Sequence, residues 1–72
     1  MPNNSCEATL LFRTRDHAES FLINAPGEGT ANAFRVFKRV EGDADAAREL
    51  KEFAKRAERH TAEIKIREYH VS

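Results

Sequence analysis

Cys6, His17, His60 and His70 are the residues of this chain whose side chains could hold a soft metal or serve as nucleophile and base. A protein metal site draws on ligands at short set spacings such as C-x2-C or H-x3-H, and no two of the four stand at one. A Cys6–His70 pair would need an orienting third group and an enclosing pocket. Cys6 also falls in a polar stretch, residues 1–6, that reads as a flexible arm. Glu7, Glu19, Glu63 and Glu68 offer carboxylates that no motif pairs. Residues 26–32 (PGEGTAN) set two glycines around Glu28 but lack the lysine and the following helix of a phosphate cradle, so they read as a connecting loop. These residues predict no catalytic group, no metal site and no cofactor, and so a protein that is not an enzyme.

Cations interleaved with aromatic residues form a different kind of constellation. Residues 7–14 (EATLLFRT) alternate as a strand, with Ala8, Leu10 and Phe12 on one side and Thr9, Leu11 and Arg13 on the other. Residues 33–41 (AFRVFKRVE) place Phe34, Val36 and Val40 opposite Arg35, Phe37 and Arg39. In residues 63–71 (EIKIREYHV), Ile64 and Ile66 share a face. Tyr69 and Val71 then fall on the opposite one, unless a bulge near Arg67 and Glu68 shifts the phase. If the aliphatic sides face a core, the other sheet surface carries Leu11, Arg13, Arg35, Phe37, Arg39, Lys65, Arg67 and Tyr69. Rings that stack bases beside cations that meet phosphates are the layout of a single-strand nucleic-acid binder. The same surface suits a protein partner, or a homodimer joined through Leu11, Phe37 and Tyr69. It also fits a plain solvated sheet.

The elements that must position this surface differ in clarity. After Gly42, residues 43–60 (DADAARELKEFAKRAERH) carry every mark of an amphipathic helix. Asp43 or Asp45 can cap it. Ala46, Leu50, Phe53, Ala54 and Ala57 form one stripe, Glu52 precedes Arg56 by four, and Arg56, Arg59 and His60 suit its negative end. Its charged side, with Lys51, Lys55 and Arg59, is a second and weaker candidate surface for a partner. Residues 15–25 (RDHAESFLINA) fit a helix capped by Asp16 with Glu19 three residues on, or a strand forming a hairpin with the first; the helix is the favoured of the two. The order strand, helix, strand, helix, strand predicts an α+β open sandwich: three strands packed on one side by one long and one short helix. This topology resembles a ferredoxin-like unit with one strand missing, a likeness that implies no function.

The totals bound what such a domain can do. Seventy-two residues fit one domain,, and a single core of that size rarely supplies more than about 3–5 kcal/mol net. Twelve Lys and Arg against twelve Asp and Glu give no net charge, which excludes the strong overall field of a nonspecific nucleic-acid binder. One cysteine permits no internal disulfide and points to a reducing, cytoplasmic compartment. The apolar patterning predicts neither a signal peptide nor a membrane span. The expectation is a protein–protein interaction module, a small regulatory or inhibitory protein of the kind phages and mobile elements encode. The alternative is a small RNA- or single-stranded-DNA-binding domain using the same sheet face.

Overall fold

The computed structural model describes residues 3–71, with side chains from Ser5 to Tyr69. In chain order the elements are β1 (Asn3–Phe12), α1 (Arg15–Asn24), β2 (Glu28–Asn32), β3 (Arg35–Glu41), α2 (Ala44–Arg56), a 3-10 turn (Ala57–His60) and β4 (Thr61–Val71). They form a small α+β fold with one antiparallel sheet in the order β2-β3-β1-β4. Both helices pack against the same core on one side of it. The expected three-stranded sheet is therefore four-stranded, and the added strand is β2. With it the connectivity becomes β-α-β-β-α-β, the full ferredoxin-like arrangement in which the first and third strands lie at the centre. No helix among the described residues is long and apolar enough to cross a membrane.

β2 occupies residues that read as a loop because EGTAN has no apolar alternation, and all five of its residues are exposed. Backbone pairing holds it, with Glu28 opposite Arg39 and Asn32 opposite Arg35, across a tight turn in which Ala33 takes the left-handed conformation. Phe34 lies in that turn and is 42% exposed, so it does not join Val36 and Val40 in the core as the alternation predicted. Its carbonyl instead accepts the Phe12 amide at 2.8 Å. Gly29 lets the edge strand lie close, since a Cβ there would overlap the Phe37 carbonyl and the Lys38 stem. Gly29→Ala is accordingly expected to cost about 1–3 kcal/mol through steric overlap and to strip amide-exchange protection from Thr30 to Asn32. Unchanged protection would mean β2 does not depend on this close approach.

The core follows the predicted alternation on β1, where Ala8, Leu10 and Phe12 are buried, joined by Cys6. β1 begins at Asn3, so the stretch expected to be a flexible arm is strand from there on, and Met1 and Pro2 lie outside the described residues. Cys6 is fully enclosed, with Glu68 as its cross-strand neighbour. Burial first, and then the Glu68 charge, push its thiol up from the ordinary value, which disfavours the thiolate a nucleophile requires. β4 keeps its phase through Tyr69. The irregularity lies at the other end, where Leu11 pairs Glu63 and Phe12 pairs Thr61, and not near Arg67 and Glu68. The predicted placement of Val71 concerns a side chain outside the described residues.

Residues 15–24 are helix. Thr14, rather than Asp16, caps it, its hydroxyl accepting the His17 amide at 3.3 Å. Ala18 and Phe21 turn inward, Phe21 meeting Phe12 with ring centroids 5.5 Å apart. Asp43 caps α2 by accepting the amides of Asp45 and Ala46. Its buried stripe is Ala47, Leu50 and Ala54, with Ala46, Phe53 and Ala57 half-buried beside it. The predicted helix over 43–60 divides at Ala57, where the last turn tightens to 3-10 geometry. Arg56 stacks on Phe53 at 5.6 Å and makes no ion pair with Glu52 among the described residues.

Lys38 is the least expected member of the interior. Strand parity puts it between Val36 and Val40 on the inner side, and it is only 4% exposed. Its Nζ donates to the Leu22 carbonyl at the end of α1 and to the Gly27 carbonyl before β2, each at 2.9 Å. Burial lowers its pKa from the ordinary lysine value.

Candidate functional site

The face of the sheet away from the helices collects most of the residues singled out from sequence. Cross-strand pairing orders them into rows. One row reads Glu28, Arg39, Glu7, Arg67 across β2, β3, β1 and β4. The next reads Thr30, Phe37, Thr9, Lys65, and the third Asn32, Arg35, Leu11, Glu63. At the far end Glu41, Ser5 and Tyr69 stand abreast. Arg35, Phe37, Arg39, Lys65, Arg67 and Tyr69 are all exposed on this face, and Leu11 is half-buried.

Three of the expected residues stand elsewhere or serve otherwise. Arg13 lies beyond the end of β1. Its amide donates to the His60 carbonyl at 2.9 Å and its Nε reaches the Thr61 carbonyl at 3.4 Å, so it ties β1 to the start of β4 and does not extend the sheet surface. Lys51 turns from the outer side of α2 toward the sheet and pairs with Glu68 at 2.9 Å, a contact that raises its pKa. Arg59 is exposed as predicted but belongs to the 3-10 turn, leaving Lys55 as the remaining exposed cation of the three on α2 itself.

The electrostatics of the face differ from the cationic strip that the sequence suggested. Arg35, Arg39, Lys65 and Arg67 share it with Glu7, Glu28, Glu41 and Glu63, so the surface is balanced. Arg39 reaches Glu41 at 3.0 Å and Glu7 at 3.7 Å, and Arg35 reaches Glu63 at 3.9 Å. These exposed pairs contribute about 0–1 kcal/mol each. Their larger effect is to cancel the field a polyanion would feel. Arg67 lies over Tyr69 at 5.6 Å. Phe37 and Tyr69 are two strands apart and offset by four residues along β1, roughly 16 Å, from strand spacing and rise. The two rings therefore stand apart and do not form one stacking platform. Sequence reading missed the acids because it weighed cations and rings alone; the parity of Glu7, Glu41 and Glu63 within their strands already placed them here.

A second polar feature lies on the helix side. The imidazoles of His17 and His60 stack with centroids 3.9 Å apart and planes 16° from parallel, and the Thr14 hydroxyl meets His17 Nδ1 at 2.8 Å. Desolvation first, then the charges of His17 and Arg59, lower the His60 pKa from 6.5. An unfolded chain then takes up this proton before the folded one does, so stability is full above pH 6.5 and falls as pH drops below it. The urea midpoint of the wild type is expected to decline between pH 7.5 and 5.5, and the His60→Gln midpoint to stay flatter. Equal declines in both would remove the pair as the cause.

Comparison of the chain with protein-family models, curated proteins and solved structures finds no match. What defines the protein's class is therefore its own architecture: an open-faced α+β sandwich with a mixed-charge, aromatic-studded sheet surface.

Proposed function

We propose that this chain is a non-enzymatic protein–protein interaction module, a small regulatory or inhibitory protein that engages its partner through the open sheet face. The observation that carries the reading is Phe37 standing exposed amid balanced, ion-paired charge. Aromatic and arginine side chains are the usual anchors of protein interfaces. Alternating signs give a partner protein a pattern to match, whereas a phosphate backbone would meet the carboxylates of Glu7, Glu28, Glu41 and Glu63. Leu11, Phe37 and Tyr69 supply the apolar contacts, with Arg35, Arg39 and Arg67 around them.

The test is co-purification from the native host with nuclease treatment, comparing wild type with an Arg35→Glu/Phe37→Ala variant. A partner that survives nuclease and is lost with the variant supports the reading; identical partner sets remove the sheet face from it. The nucleic-acid alternative draws on the Arg67–Tyr69 pair and on Lys65, which makes no ion pair among the described residues. It requires binding to random single strands that weakens steeply with salt, with Phe37→Ala costing about 1–3 kcal/mol for the base stacked on it. Fluorescence anisotropy showing no binding at low salt would dispose of it.

A further inference from the structure

We infer that the groove between α1 and α2 is a binding site for a small aromatic carboxylate, independent of the sheet face. The groove has a volume of about 180 Å3. Phe12 on β1 lines it together with Phe21 on α1 and Phe53 on α2. An apolar cavity of about 150 Å3 is enough to admit benzene, so the space suits one ring with a short substituent.

The polar part of the lining gives the charge of that substituent. Ser20 and Asn24 are neutral, and Asn24 Nδ2 donates to the Ser20 hydroxyl at 3.1 Å and to its carbonyl at 2.9 Å. His17 Nδ1 is taken by Thr14. Arg56 is the one permanently charged side chain in the lining among the described residues,. No carboxylate lines the groove, and Arg56 makes no ion pair among the described residues. Stacking on Phe53 holds its guanidinium beside the apolar lining. A planar guanidinium fork matches a carboxylate in two parallel hydrogen bonds. The ring would enter among the phenylalanines with its carboxylate toward Arg56.

The probe is benzoate, titrated into the full chain and followed by amide and aromatic NMR shifts, with benzylamine and benzyl alcohol as cationic and neutral counterparts. Saturable binding with a dissociation constant on the order of a millimolar is expected for so small a ligand. The largest shifts should fall at Phe21, Phe53, Ala57 and His60. Benzylamine should bind about tenfold or more weakly, and Arg56→Gln should weaken benzoate by about tenfold. Arg56 is an exposed residue at the end of α2, so this variant keeps the fold, which its own spectrum verifies. Arg56→Lys, which keeps the charge without the fork, should fall between. Shifts on the sheet face, failure to saturate, equal affinity for the amine, or an Arg56→Gln variant that binds as well as wild type would each overturn the assignment.

Discussion

Alanine in place of Lys38 is expected to lower the unfolding free energy by about 3 kcal/mol, from loss of charged hydrogen bonds and of stem packing. The loss should appear as a fall in the urea midpoint with little change in slope. The side chain joins three elements: it leaves β3, passes beside Gly29 of β2, and donates to carbonyls at the end of α1 and just before β2. Lys38→Met separates the contributions. It keeps an apolar stem of similar length but leaves the Leu22 and Gly27 carbonyls without their donor, and should cost about 2 kcal/mol. If Lys38→Met equals wild type, the ammonium is no more than tolerated and the two hydrogen bonds contribute nothing net.

Leu50→Ala should be still more damaging. Leu50 is fully buried, and its neighbours on the buried stripe of α2 are only Ala47 and Ala54. Truncation removes the one large, fully buried side chain by which that helix is fixed to β1 and β3. Core leucine truncations cost about 2–5 kcal/mol, as much as the whole net stability of about 3–5 kcal/mol that a core this size supplies. The variant is expected to show no cooperative thermal transition by circular dichroism. Leu50→Met, which conserves volume, should cost less than about 1.5 kcal/mol and keep the transition. A cooperative Leu50→Ala transition at the wild-type temperature would mean that α2 docks by other contacts.

The contrast between these residues shows what the sequence can and cannot disclose. Leu50 was legible because cap, stripe, charge placement and length all pointed to the same helix, and its packing followed from that helix alone. β2 was not, because an edge strand held by backbone hydrogen bonds needs no apolar alternation, and glycine, a poor strand former, was chosen for closeness to β3. Lys38 was legible by position and hidden by type: parity placed it inward, while a lysine ordinarily belongs in water. Its carbonyl partners come from segments 11 and 16 residues away, a proximity that exists only after folding. The same holds for Lys51, drawn out of the helix's outer face by Glu68 on β4. Most of the candidate sheet surface was readable from strand alternation. Arg13 was misplaced because β1 ends one residue before it, and the balancing acids were readable but went unweighed.

Lys38 also makes the domain its own chemical clock. An amine-acylating reagent added to the native protein can reach Lys55 and Lys65 directly, and Lys51 from its half-exposed surface ion pair. Lys38 can be acylated only when the corner formed by α1, Gly27 and β3 comes apart. Its labelling rate therefore counts openings of that corner without any engineered reporter, and any partner or ligand that clamps the corner will register as a slowing of that one reaction.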